Sequence, residues 1–207
     1  MSKEEWTAKC NRMDTEDAHV CRRLREACGL ELNSVYDLIN KHHNYPQAIP
    51  TLLELLDEVH EPNIKEGIVR ALADKSAEGI AAPKLIEEFR RTAPSNSELG
   101  WVIGYVLGRV ARAAHAAIIL ELVANRRYGL ARRALPDALR HCDRDALVRA
   151  IPGLLKDPDA VYRTLALIQR RKLVEVAQDV KRIADGPAGD LQRDAQRVYA
   201  KLMTPSQ

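Results

Sequence analysis

Residues 99–123 read LGWVIGYVLGRVARAAHAAIILELV, the most apolar stretch of the chain. Gly100, Gly104 and Gly108 recur in it at four-residue intervals, the spacing by which small residues let two membrane helices touch. A spanning helix needs about 20 consecutive apolar residues, and the run from Leu99 is broken by Arg109, Arg112 and His115. Two arginines near mid-membrane would cost at least about 2.5 kcal/mol each, which excludes a span. The stretch reads instead as a helix, a turn over Arg109–Ala113 and the start of a second helix. Ser95 or Ser97 offers the N-cap, with Glu98 in the first turn, and Gly108 closes the helix. Gly100 and Gly104 lie inside it at about 1 kcal/mol each relative to alanine. That cost predicts a neighbouring helix packed too close for a side chain.

Composition agrees with an all-helical chain. The 207 residues suffice for one sizeable core. They are 46% hydrophobic but only 4% aromatic, with one Phe (Phe89) and two Trp (Trp6, Trp101). Alanine and leucine do the packing, and β-branched clusters are sparse. The charged N-terminus lacks the apolar core of a secretory signal. Cys10, Cys21, Cys28 and Cys142 form no CxxC pair, as expected of reduced thiols in the cytoplasm.

Outward from the opening stretch, helix pairs recur. Each second helix begins on an aligned pair: Ile64-Lys65, Leu99-Gly100, Ala131-Arg132, Tyr162-Arg163 and Leu191-Gln192. Apolar positions follow at matching offsets, as in Ile68, Ala71 and Leu72, then Ile103, Val106 and Leu107, then Leu135, Ala138 and Leu139. The unit length shrinks from 35 to 32, 31 and 29 residues. Prolines at 46, 50, 62, 83, 152 and 158 fall at expected helix starts or turns, where a missing N–H costs little. Pro136 falls mid-helix and should kink it.

The fourth unit, IPGLLKDPDAVYRTLA, carries Asp157, Pro158, Asp159, Arg163 and Ala166 at the spacing of the HEAT repeat. It resembles the short form of that repeat found in phycobilisome-lyase-type HEAT proteins. The resemblance implies an all-α α-solenoid of about five helix pairs over residues 45–207. It also implies that turn aspartates and helix arginines pair along the stack, and that partners bind the concave face lined by second helices. Residues 1–44 lie outside the pattern and read as an N-terminal helical cap. Within that cap, one helix starts at Asp14 or Thr15 and stops at Gly29, another is started by Asn33 or Ser34, and KEEWTAKC at residues 3–10 offers a further helix that would fray.

No nucleophile elbow, phosphate-binding glycine loop or paired metal spacing occurs, and no cofactor is expected. His60-Glu61 is the one His-Glu dipeptide, whereas the di-iron HEAT-repeat hydroxylases need several. His42-His43 sits at a helix end, and His19 with Cys21 and Cys28 lacks zinc-site spacing. The feature that stands out is charge. Residues 1–100 carry a balance of −5 and residues 101–207 one of +8. On the expected second helices, Arg133, Arg140, Arg163, Arg171, Arg193 and Arg197 would form a basic stripe. The plainer reading of such cations is a solvated surface and helix C-termini. The sharper one is a groove for an acidic protein partner, in an adaptor or an inhibitor of immunity type. The alternative partner is a nucleic-acid backbone, as in the HEAT-like DNA glycosylases. Trp101, Tyr162 and Tyr199 are expected in the core.

Overall fold

The computed structural model describes residues 2–40 and 44–204, which contain helices and no strand. A long helix α1 (Lys3–Cys28) is followed by a short α2 (Asp37–Asn40). Pairs then follow in order: α3 (Ile49–Glu58) with α4 (Pro62–Ala71), and α5 (Ala82–Thr92) with α6 (Ser97–Val110). Next come α7 (Ala116–Ala124) with a 3-10 segment (Arg126–His141), α8 (Arg144–Leu155) with α9 (Val161–Arg171), and α10 (Ala177–Ala184) with α11 (Asp190–Met203). Short 3-10 turns lead into α3, α7 and α10. The members of each pair pack on each other, and the second members form a lateral series: α4 on α6, α6 on the 3-10 segment, that segment on α9, and α9 on α11.

Local chemistry explains most boundaries. Ser2 and Glu5 form a capping box that starts α1, and Gly29 ends it in the left-handed conformation at φ 71°. The start expected at Asp14 or Thr15 is therefore overtaken, because a capped and charged first turn lets the helix run from Lys3. The second cap helix spans only Asp37–Asn40. Its expected continuation, with His42-His43, lies outside the described residues. Asn96, not Ser95 or Ser97, caps α6, its Oδ1 accepting from the Leu99 N–H at 3.0 Å. In α8, Asp143 caps the helix nine residues before Pro152. That proline consequently sits inside α8 rather than at its start.

Helix α6 is the centre of the molecule. Leu99, Val102, Ile103, Val106, Leu107 and Val110 are all buried, a burial that stabilises the fold by on the order of 10 kcal/mol. It continues to Val110, so Gly108 lies within the helix and the turn begins later than expected. The break after it confirms that the apolar stretch is two helices, and no described helix is long and apolar enough to cross a membrane.

All three glycines face the 3-10 segment. A Cβ on Gly100 would lie 2.6 Å from the Ala131 Cβ, one on Gly104 3.4 Å from the Ala134 Cβ, and one on Gly108 3.2 Å from the Asp137 Cβ. The partners advance by three residues each time the glycines advance by four, so the two elements run parallel. Four residues of α-helix and three of 3-10 helix both rise about 6 Å. The two repeats therefore stay in register along the contact. The chain break in this segment is at Gly129, at φ 45° and ψ −129°, and not at Pro136, which lies buried within the 3-10 turns.

The contact geometry ranks substitutions along this seam. Gly100→Ala collides with Ala131 and with the Ala93 backbone 3.1 Å away and should lower stability. Gly104→Ala meets only ordinary contacts and should stay within about 1 kcal/mol of wild type, its gain in helix propensity offsetting tightness. Gly104→Leu should cost about 1–3 kcal/mol by overpacking. Urea unfolding of the three variants measures this order, and a neutral Gly104→Leu would refute the close packing.

Candidate interaction face

Charged side chains fall into three groups, and the first is buried. Arg132 and Asp157 are 2% and 3% exposed and make a two-pronged ion pair, with Nη2 to Oδ1 at 2.9 Å. Arg132 also donates to the Val123 carbonyl at 3.0 Å, and Asp157 accepts the Asp159 N–H at 3.0 Å. Lys65 and Glu88, also buried, pair at 3.3 Å. Lys65 and Arg132 hold the same aligned position, and each pairs with an acid of the next helix pair. Asp157 thus binds the preceding pair's arginine, while Arg163, in its own pair, binds Asp137 at 2.6 Å. At Gly100, the intervening member of that alignment, the close approach leaves room for no side chain.

The second group holds helix ends. Arg140 donates to the Arg109 carbonyl at 2.7 Å, and Arg171 to the Arg140 carbonyl at 2.7 Å and that of Cys142 at 2.9 Å. The Arg140–Arg109 and Arg171–Arg140 bonds each span 31 residues. An arginine near the end of one second element thereby satisfies last-turn carbonyls of the one before, where a cation is favoured. Two members of the expected stripe, Arg140 and Arg171, are half-buried in this ladder. The 31-residue recurrence of Arg109, Arg140 and Arg171 was readable in the sequence as its signal.

The third group is exposed. Arg133 reaches Asp159 at 3.1 Å, and Arg163 shares Asp137 with Arg170, whose Nη1 is 3.8 Å from it. Arg193 and Arg197 pair along α11 with Asp190 and Asp194. Of the stripe, Arg133, Arg163 and Arg197 therefore project from the solvent side of the second-element layer. Arg193 is exposed too and, like Arg197, pairs with an acid of its own helix.

Aromatic side chains supply what the charge reading missed. On α6 the only residues not buried after Glu98 are Trp101, Tyr105 and Arg109, one stripe at i, i+4 and i+8. Trp101 stacks on Tyr105 with centroids 6.0 Å apart, and Arg109 lies 5.1 Å over the Tyr105 ring. Trp101, expected in the core, packs against it while its outer edge lines an open groove of about 330 Å³ with Arg70, Leu130 and Arg133. Leu130 is 49% exposed and Tyr162 51%, so Tyr162, expected in the core, lies outside it. Tyr162 lines a second groove of about 160 Å³ with Leu165, Arg197 and Lys201. The pattern hid this because a single exposed stripe on a helix buried elsewhere has the same apolar spacing as core.

Among the described residues no group of three or more His, Cys, Asp or Glu side chains is placed to hold a metal ion. His19 instead binds Glu58 of α3 at 2.9 Å. His115 closes the turn after α6, its Nδ1 accepting from the Arg112 N–H at 3.1 Å. No family model, curated protein or solved structure matches the chain.

The buried pair has a pH consequence. Burial by itself raises the Asp157 carboxyl, but the Arg132 guanidinium, the Asp159 N–H and Arg126 together hold it below its ordinary 3.8. Asp157 therefore contributes stability fully above the unfolded value of about 4, and that contribution is lost as pH falls through the lower folded value. Asp157→Asn should cost about 3–5 kcal/mol at neutral pH, leaving Arg132 buried without its counter-charge. It should also flatten the acid limb of the stability curve. Asp190→Asn, at an exposed pair, should leave both unchanged; denaturant melts between pH 3 and pH 7, an approximate range spanning the acid limb, measure the contrast.

Proposed function

We propose that this chain is a HEAT-like α-solenoid, about five helix pairs with an N-terminal helical cap. Its second-helix face serves as a non-catalytic module binding a protein with an acidic surface. The repeat reading is supported by the lateral series of second elements and by the Lys65–Glu88 and Arg132–Asp157 pairs between successive units. Stacked units of this kind share one core and present an extended surface. The four free cysteines suit a cytoplasmic, reducing setting.

One observation carries the functional reading. The partly buried Trp101–Tyr105 pair and the exposed Arg109 lie beside Arg133, and the Arg163 and Arg170 pair on Asp137 follows along the same face. Trp, Tyr and Arg are the side chains on which protein interfaces concentrate their binding energy. A polyanion track is less well served, because Glu66, Glu98, Asp137 and Asp194 interleave with the cations.

Replacing Trp6 by Phe leaves Trp101 as the sole tryptophan reporter. Acidic synthetic peptides titrated into that variant should shift Trp101 emission, and Arg133→Glu, Arg163→Glu and Arg197→Glu combined should abolish the shift. Duplex DNA and single-stranded RNA serve as the competing probes. Tight binding of either, with log K falling against log salt at a slope of about −3 or steeper, would replace the protein reading by the nucleic-acid one.

A further inference from the structure

The two grooves on the second-helix face share one construction. In the first, Trp101 and Leu130 present apolar surface between Arg70 and Arg133. In the second, Tyr162 does so beside Arg197 and Lys201, with the buried Leu165 at the groove's base. Each therefore offers an aromatic face with two cations at its edge, beside Glu66 and Glu98 in the first groove and Asp194 in the second. The guanidiniums keep donors to spare: Arg70 spends its Nε on Glu66 at 2.8 Å, and Arg133 meets only Asp159. An arginine has five N–H donors. Between the grooves, Arg163 and Arg170 share the single carboxylate of Asp137, which leaves an excess of positive charge there.

The series of helices sets the distance between the two apolar spots. Trp101 is on α6 and Tyr162 on α9, with the 3-10 segment alone between them. Two lateral steps of 8–10 Å give about 16–20 Å. An extended chain covers that in about five or six residues.

We infer that the occupant of this face is a short, extended, acidic segment of a protein partner, with two large apolar anchor residues five or six positions apart. One anchor rests on Trp101 and Leu130, the other on Tyr162, and the carboxylates between them meet Arg163 and Arg170. This rests on the protein-binding reading above and adds to it the two-anchor form of the ligand. A chain of separate carboxylates can address individual arginines and avoid the interleaved acids, as a regular phosphate backbone cannot. Linking two weak anchors makes the second contact intramolecular, the source of affinity here.

The test uses the full chain and fluorescein-labelled peptides of Asp, Glu, Ser and Gly carrying two leucines or phenylalanines. Anchor spacings of about three, six and ten residues bracket the span estimated from the chain rise, with one-anchor and anchor-free controls. Anisotropy should find the six-residue spacing bound at least about tenfold tighter than one-anchor peptides. Trp101→Ala and Tyr162→Ala should each reduce it to the one-anchor level. Tyr162 is 51% exposed and Trp101 is partly buried, and circular dichroism checks that both variants stay folded. Equal affinity at all spacings, or binding unmoved by both substitutions, overturns the two-anchor inference while leaving acidic-peptide binding standing. No acidic peptide bound at all, with RNA or DNA bound instead, overturns both readings.

Discussion

The structure turns on the contact between α6 and the 3-10 segment that follows α7. An α-helix repeats a face every fourth residue and a 3-10 helix every third, and the two advances are the same length, about 6 Å. Gly100, Gly104 and Gly108 can therefore meet Ala131, Ala134 and Asp137 in turn without drifting apart. An ordinary α-helix in place of the segment would drift out of step with a three-residue alanine repeat. The unusual length of 3-10 structure, which is rare beyond three or four residues, is thereby supported by tertiary packing. Gly129, with its positive φ, sets the segment's direction just before the seam.

From that seam the charges sort themselves. Where second elements approach less closely than at Gly100, the same aligned position holds a buried cation, Lys65 or Arg132, and the next unit supplies its acid. Such pairs do little for net stability compared with apolar packing. They do penalise any register that leaves one charge buried alone. Further along the layer, Arg140 and Arg171 satisfy last-turn carbonyls of the preceding element. Only after these structural roles are filled do arginines remain for the solvent face, and these stand next to its aromatics.

A chain so poor in aromatic residues makes their placement informative. Phe89 is buried and packs edge-on against Tyr128 at 5.1 Å, and Tyr45 is buried with its hydroxyl donating to the Ala71 carbonyl at 2.9 Å. Trp101, Tyr105 and Tyr162, in contrast, keep substantial surface on one face. Alanine and leucine suffice for most of the interior, and the partly buried Trp101 stacks on Tyr105 with Arg109 over the Tyr105 ring.

The sequence by itself determined that the chain is helical, that residues 99–123 form two helices and no membrane span, and that helices come in pairs. Those properties live in spacing, charge and proline, which act within a turn or two of the chain. It also required a close neighbour for Gly104, since interior glycine is costly without one. It did not reveal the partner of each charge. Arg132 and Arg133 are adjacent letters with opposite fates, one 2% exposed on Asp157 and the other half-exposed on the surface. Nor did it distinguish Trp101 and Tyr162 from core residues, because helical periodicity records which side of a helix is apolar and not whether another helix covers it. Only the lateral packing of the second elements decided that, by burying every side of α6 except the line through Trp101, Tyr105 and Arg109.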